Sequence, residues 1–347
     1  MRNKSCYIGL LICCALCAVV VADMNDDVAE PKKEPLQLTI WSTGQSLKDT
    51  KIKVMLKNVG TEKVTVLKVF DGSAGQIFFT VDMKDEKGAR WRNGGGKISF
   101  TSDPLPYVTL EPGEFVGTTI TLKDRFKDEI KESDDEAASR TLTRRDRLNE
   151  KEWAEGKYKL TVRYYNQYGE ECFQGGLTSN TIDLPGANTE AAERGKEPLQ
   201  CVIFQAGRSP GDTNVHVMLE NVSEEKVTVL KEFRHIPPFF SLTVVNEAGT
   251  PRLSSAGKVS FRRGPLNYAP LEPGEFVGRT IAVKDVFTDI EDGKYKLTVE
   301  YHNQYGENCF QGWLTRSNAI DLVIGPQAES QPAAVTGNTE LTNEAAK

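Results

Sequence analysis

Four short segments occur twice in this chain, in the same order. They are EPLQ at 34–37 and 197–200, EKVTVLK at 62–68 and 225–231, LEPGEFVG at 110–117 and 271–278, and GKYKLTV at 156–162 and 293–299. The spacing between copies is 161–163 residues up to LEPGEFVG and 137 residues after it, so the first copy contains about 24 extra residues. Such a repeat indicates a duplicated domain. Each copy is therefore expected to fold into the same arrangement of strands and turns.

Apolar and polar residues alternate inside each copy, which is the period of a β-strand with one buried face. The clearest examples are Ile52, Val54 and Leu56 in the first copy and Val215, Val217 and Leu219 in the second. Turn sequences separate the strands, and the Pro-Gly pairs at 112–113 and 273–274 fit type II turns with a positive φ at glycine. We predict an all-β protein of two tandem immunoglobulin-like β-sandwich domains, with a charged insertion of helical character in the first.

The repeat boundaries place the first sandwich at 34–184 and the second at 198–324. We expect linkers at 23–33 and 185–197, because these segments are polar and rich in turn residues, and a disordered tail at 325–347. The insertion lies at about 130–154. It is either a partner-binding helix, as a capping box at its start suggests, or a solvated charged segment pinned by Trp153.

The N-terminus is typical of an export signal. Arg2 and Lys4 precede an uncharged apolar run that ends before Asp23, and this run is too short for a transmembrane helix. We expect a signal peptide at 1–22 and a product that is secreted, periplasmic or attached to the cell envelope, with no transmembrane span. A lipoprotein anchor at Cys17 is the alternative, and the large residue Leu16 before it disfavours that reading.

The net charge of −6 becomes −8 without residues 1–22, which carry two positive and no negative side chains. An acidic chain without a long basic block is not expected to bind nucleic acid or anionic membranes. The expected partner is therefore a protein or a carbohydrate at the cell exterior.

The sequence contains no motif for catalysis or for a metal. Its three histidines, His216, His235 and His302, are not in a His-Glu-x-x-His arrangement, and there is no Gly-x-Ser-x-Gly segment. The glycine-rich segment at 94–99 lacks the Ser or Thr that would follow the lysine of a phosphate-binding loop. We predict that the protein is not an enzyme and has no cofactor and no metal site.

Three cysteines follow residue 22: Cys172, Cys201 and Cys309. Cys201 occupies an alternating position of the first strand in the second copy, which indicates a small buried side chain. Cys172 and Cys309 occupy equivalent positions in the two copies. Buried free thiols, a disulfide that includes one of them and a reactive thiol all stay open.

The most nearly identical segment joins the last two predicted strands of each copy. Tyr164–Thr178 matches Tyr301–Thr315 at 12 of 15 positions. Connections at this end of a sandwich often carry recognition residues. The candidate binding residues are Asn166, Gln167, Tyr168, Phe173 and Gln174 in the first copy, and Asn303, Gln304, Tyr305, Phe310, Gln311 and Trp313 in the second. Aromatic rings beside amides suit a carbohydrate or a peptide; alternatively, the rings cap the core and the amides satisfy the loop backbone.

The series NVGTEKVTVLK, FFTVDMKDEKG, LEPGEFVG and DGKYKLTVEY resembles the secreted immunoglobulin-like modules of bacteria. It is similar to the non-catalytic sandwich of deuterolysin-type metalloproteases and, less closely, to BsuPI-type proteinase inhibitor domains. The resemblance implies a non-catalytic role, and protease activity does not carry over because a second sandwich follows where the zinc domain would stand. We therefore expect a non-catalytic binding or structural protein; the alternative is a secreted proteinase inhibitor.

Overall fold

The structure is a computed structural model that describes residues 34–44, 47, 50–68, 78–93, 106–122, 126, 156–185, 197–206, 212–231, 233, 239–254, 266–314 and 317–325. The predicted signal peptide, the insertion at about 130–154, nearly all of the tail, and His235 lie outside these residues. Apart from Glu34, the described residues belong to one compact unit, Pro35–Lys347.

The protein is all-β, as the sequence predicts. The strands of the first repeat are β1 (Leu36–Thr43), β2 (Lys51–Asn58), β3 (Val64–Leu67), β4 (Phe79–Asp85), β5 (Arg90–Asn93), β6 (Tyr107–Leu110), β7 (Glu114–Thr121), β8 (Tyr158–Asn166), β9 (Gly175–Thr178) and β10 (Ile182–Leu184). Those of the second are β11 (Leu199–Gln205), β12 (Asn214–Asn221), β13 (Val227–Leu230), β14 (Phe240–Asn246), β15 (Pro251–Leu253), β16 (Tyr268–Leu271), β17 (Glu275–Ala282), β18 (Gly293–Asn303), β19 (Gly312–Leu314) and β20 (Ile320–Ile324). A one-turn helix, α1 (Val283–Val286), follows β17.

The strands form antiparallel sheets consistent with β-sandwich packing. Each repeat has its own five-stranded sheet, ordered β10-β8-β4-β5 with β9 beside β8 in the first, and β15-β14-β18-β19 with β20 beside β18 in the second. Two further pairs are β3-β6 and β13-β16. The remaining strands join the repeats in one six-stranded sheet, ordered β1-β2-β7-β17-β12-β11. The immunoglobulin-like strand order stays a prediction.

The two repeats meet where β7 pairs with β17. Val116 lies opposite Val277, which is its own equivalent in the second repeat, and Glu114 and Thr118 lie opposite Arg279 and Glu275. Equivalent residues therefore exchange places across this pair, as in an isologous contact around a two-fold axis.

Buried ion pairs also cross this boundary, and two of them are related by the repeat. Lys231 Nζ lies 2.7 Å from Glu114 Oε2, with both side chains almost fully buried, and Lys68 pairs with Glu275 in the same way. The lysines end the two EKVTVLK segments and the glutamates belong to the two LEPGEFVG segments. These repeated motifs therefore hold the two copies together.

The turns of the LEPGEFVG segments have the predicted geometry. Gly113 and Gly274 have φ of 80° and 77°, which glycine adopts at little cost. The amides of Glu114 and Glu275 donate to the carbonyls of Glu111 and Glu272, each over 2.9 Å. Each turn thereby places its second glutamate at the boundary between the repeats.

The shared sheet is buried on both faces at its centre. One face packs on the main core, to which the predicted residues Ile52, Val54 and Leu56 belong. The other face carries a second apolar cluster of Met55, Phe115, Met218 and Phe276, flanked by Trp41, Val202 and Phe204. The prediction of a single buried face is therefore wrong for β2. The sheet curls until the rings of Trp41 on β1 and Phe204 on β11 lie 4.5 Å apart, and this covers the second face.

Candidate functional site

The repeated end loops, which connect β8 to β9 and β18 to β19, are built around a buried asparagine. Asn166 Nδ2 donates to the carbonyl of Phe173 over 2.8 Å, and Asn166 Oδ1 accepts the amide N–H of Tyr168 over 2.9 Å. Asn303 makes the same two contacts with Phe310 and Tyr305. The asparagines therefore satisfy loop backbone groups that would otherwise be buried without partners.

The aromatic residues of these loops point toward the core. Tyr168 and Phe173 are half-buried and pack against the main core cluster, as Tyr305 and Phe310 do in the second repeat. The ring of Tyr168 contacts Phe78 edge-on at 6.1 Å between centroids, and the equivalent pair, Tyr305 and Phe239, lies at 5.8 Å. These contacts support the loop and leave little of each ring for a ligand.

The glutamines of the loops lie at the surface. Gln174 Nε2 donates to the carbonyl of Gly169 over 2.9 Å, and Gln167 Nε2 donates to the Tyr168 hydroxyl over 3.2 Å. Gln311 and Gln304 make the equivalent contacts with Gly306 and Tyr305. The amide groups are thus held in place while their side chains stay exposed.

The three cysteines are free thiols. Cys172 Sγ donates to the carbonyl of Tyr168 over 3.2 Å and lies 3.3 Å from Asn166 Nδ2. Loss of solvent around the thiol raises the pKa of Cys172, although the Asn166 contact opposes this, and Cys309 behaves in the same way. Full burial raises the pKa of Cys201 to about 12. The environment therefore favours unreactive packing thiols over nucleophiles.

Trp313 is the candidate residue with the most exposed ring. It stands on the outward side of β19, opposite His302 on β18, and 62% of its surface is exposed. The two rings stack, with centroids 3.9 Å apart and an interplanar angle of 18°. His302 therefore supports one face of the indole and leaves the other toward solvent. Gln304 and Gln311 lie one position beyond the last strand pair, Asn303 and Gly312.

The first repeat lacks this stacked pair. Tyr165, with 58% of its surface exposed, lies opposite Gly176 at the corresponding position. A single aromatic ring therefore stands here where the second repeat has two. The two repeats differ in surface chemistry at a place where their loops are almost identical.

The surface beside Trp313 is mainly polar. Ser241 on β14 lies opposite Glu300 on β18, and Thr243 lies opposite Thr298, all on the outward side of the sheet. Leu253 on β15 and Val323 on β20, opposite Lys294, are further exposed apolar side chains of that face among the described residues. Trp313 thus stands among hydroxyl, amide and carboxylate groups.

A groove of about 610 Å³ lies at the seam where the edges of the shared sheet approach each other. Trp41, Phe204 and His216 line it, together with the segment around Asn180. The Asn180 side chain accepts a hydrogen bond from the N–H of Ile40 over 2.8 Å and donates one to the Ile40 carbonyl over 2.9 Å. These two bonds satisfy the backbone groups of Ile40 at the edge of β1. This groove could not be predicted from the sequence, because its walls come from strands far apart in the chain.

The imidazole of His216 is buried, so it is not placed to act as a base near neutral pH. Its ring contacts Phe204 and Phe115, and its Nδ1 lies 2.8 Å from the Thr280 hydroxyl. Burial, assisted by the charge of Lys57, lowers the pKa of His216 to about 3. The imidazole is therefore neutral and structural at physiological pH.

The described residues contain no cluster of three or more His, Cys, Asp or Glu side chains able to hold a metal ion. Within the same part of the chain, no helix is both long and apolar enough to cross a membrane.

No protein-family model matches this chain. No curated protein is significantly similar to it either.

Proposed function

We propose that this protein is a non-catalytic binding protein, secreted or associated with the cell envelope, that holds a carbohydrate on Trp313. The observation that carries this proposal is the exposed indole stacked on His302, with centroids 3.9 Å apart. An aromatic ring supported on one side offers a rigid flat apolar surface on the other. One face of a sugar ring is apolar enough to pack on such a surface.

The surroundings of Trp313 favour a carbohydrate over a protein partner. A protein interface buries a large continuous surface with an apolar centre, whereas Ser241, Thr298 and Glu300 make this sheet face polar. Hydroxyl and carboxylate groups beside one aromatic ring are instead suited to sugar hydroxyls, which need directed hydrogen-bond partners. The exposed amides of Gln304 and Gln311 add donors and acceptors at the adjoining end loop.

The end loops contribute as a rigid support in this proposal. Asn303 bonds to the backbone at Tyr305 and Phe310, and these contacts fix the turn that leads into β19. A preordered site loses less conformational entropy on binding. Proteinase inhibition, the alternative function, would need a segment that projects into an active-site cleft, and the inward-facing aromatics of these loops do not favour it.

The test compares the full-length protein with a Trp313→Ala variant in binding to a panel of neutral polysaccharides. The matched control is Tyr165→Ala, which removes an exposed aromatic ring at the corresponding position of the first repeat. We expect Trp313→Ala to weaken binding by at least about tenfold, which corresponds to about 1.4 kcal/mol, and Tyr165→Ala to leave it nearly unchanged. Equal binding by wild type and Trp313→Ala would contradict the proposal. A protein partner that binds wild type but not Trp313→Ala would show that the ligand is a protein and not a carbohydrate.

A further inference from the structure

The outward side of the first repeat's sheet carries a concentration of positive charge. Its five basic side chains on β4, β5 and β8 are Lys84, Arg90, Arg92, Lys159 and Arg163. On the described strands of this sheet, the carboxylates on the same side are those of Asp82 and of Asp183 on β10. An excess of three positive charges therefore stands on one sheet face of a chain whose net charge is −6.

Three of these cations stand in one row across neighbouring strands. Lys84 lies opposite Arg90 on one side and opposite Lys159 on the other. Like charges directly opposite each other destabilise a sheet. Arg90 and Lys159 have acidic neighbours, Asp82 at 3.2 Å and Asp183 at 3.1 Å. Lys84, between them, has no ion pair with any of the described residues. An anion over this row would relieve the repulsion around Lys84.

Beside this row, three guanidinium groups surround the buried carboxylate of Asp82, whose exposed fraction is 6%. Arg90, Arg92 and Arg163 lie 3.2, 3.8 and 3.3 Å from its oxygens. These distances exceed those of strong charge-assisted hydrogen bonds, and the two oxygens form no hydrogen bond within the described part of the chain. Each guanidinium has five N–H donors, so one carboxylate leaves most of them for a further anion.

The same sheet in the second repeat forms without four of these five basic residues, and only Lys159 has a basic counterpart there, Lys296. By strand register, Val245 replaces Lys84, Pro251 replaces Arg90, Leu253 replaces Arg92, Thr243 replaces Asp82 and Glu300 replaces Arg163. Lys84, Arg90, Arg92 and Arg163 are therefore not needed to build this sheet. A ligand is a better explanation of their accumulation than the fold.

We infer that the basic face, meaning Lys84, Arg90, Arg92, Lys159 and Arg163, binds an anionic polysaccharide. Outward residues of a sheet stand about 6.7 Å apart along a strand and about 4.8 Å apart across strands. Such wide spacing suits a polymer whose acidic groups are separated by whole sugar rings. Tyr165, on the outward side of β8 two residues beyond Arg163, supplies an exposed ring for one of the sugars.

Nucleic acid fits this face less well. A DNA duplex carries one charge about every 1.7 Å, which is much closer than the spacing of the outward residues of this sheet. The basic face lies on the other repeat from Trp313 and has different chemistry. The inference therefore does not depend on the proposed function of Trp313.

The experiment measures binding of the full-length protein to polygalacturonate at low and at physiological salt. The test variant is Lys84→Gln with Lys159→Gln, which leaves the three arginines and Asp82 intact and removes like-charge repulsion, so it is expected to stay folded. Lys296→Gln is the matched control, because Lys296 occupies the register position of Lys159 in the second repeat. Double-stranded DNA completes the comparison, and a thermal melt checks the fold of each variant.

We expect the double variant to weaken binding on the order of tenfold at low salt and to show a smaller salt dependence. Lys296→Gln should bind like wild type. Four results would each overturn the inference: no binding of polygalacturonate at low salt, equal binding by wild type and the double variant, an equal loss in Lys296→Gln, or tighter binding of DNA than of the polysaccharide.

Discussion

The ring of Phe276 lies directly on Gly117, its neighbour across the boundary between the repeats. A Cβ atom on Gly117 would stand 2.3 Å from Cζ of Phe276 and 2.2 Å from the carbonyl oxygen of Val54. Phe115 covers Gly278 in the same way, with 2.4 Å to its Cζ. The Phe-Val-Gly endings of the two LEPGEFVG segments therefore pack on each other. The phenylalanine ring of each repeat lies on the glycine of the other, where there is no room for a side chain.

Gly117→Ala is expected to destabilise the protein by about 3 kcal/mol, because the methyl group overlaps a backbone carbonyl and a fully buried ring. Urea unfolding followed by tryptophan fluorescence would measure this. Gly176→Ala is the control, since its Cβ would lie 3.4 Å or more from its neighbours, and it should change the free energy of unfolding by no more than about 0.5 kcal/mol. Similar losses in both variants would show that the close contact is not the cause.

Lys231→Ala is expected to cost about 3–5 kcal/mol, because it leaves the carboxylate of Glu114 buried without its cation. An exposed pair provides the comparison. Lys63 lies 2.8 Å from Glu111 with most of its side chain in solvent, and Lys63→Ala should cost less than about 1 kcal/mol. Chemical denaturation of both variants is the measurement. A small effect of Lys231→Ala would mean that the ion pair between the repeats contributes little.

His216 predicts a dependence of stability on acid pH. Its pKa is about 3 in the folded protein against 6.5 as the ordinary value, so the unfolded chain binds the proton more readily. The contribution is fully present above pH 6.5 and is lost as the pH falls from 6.5 toward 3, with a slope of at most about 1.4 kcal/mol per pH unit. Unfolding free energies between these pH values should fall more steeply for wild type than for His216→Gln. Parallel curves would assign the acid sensitivity to other groups.

Asn166→Ala tests whether the repeated loop is a support. The substitution removes the partners of the Phe173 carbonyl and the Tyr168 amide, and we expect a loss of about 2–3 kcal/mol. Asn303→Ala should behave alike, because its contacts are equivalent. The exposed side chain of Gln174 serves as the control, and its replacement by Ala should cost about 0.5 kcal/mol or less. Thermal melts of the three variants would show the difference, and a stable Asn166→Ala protein would argue against a structural role.

The candidate site was predictable only in outline. The repeat directed attention to Asn166 and Asn303, but identity in both copies is also what a packed loop requires, and the structure gives these asparagines backbone partners. Trp313 was among the candidates, whereas its stacking on His302 was not foreseen. The row formed by Lys84, Arg90 and Lys159 was missed entirely, because these residues are neighbours through strand pairing and not through sequence.

The sequence by itself determined the repeated segments, the all-β class, the positive φ of Gly113 and Gly274, and the burial of alternating residues such as Val54 and Val217. These features are local, since side chains on a strand alternate with period two and a tight turn needs particular backbone angles. Tertiary structure alone decided that β7 pairs with β17 and that Met55 lies in a second apolar cluster. The pattern of a strand shows which of its faces is apolar, but the edge it pairs with and the element that covers its other face depend on residues brought together by the whole chain.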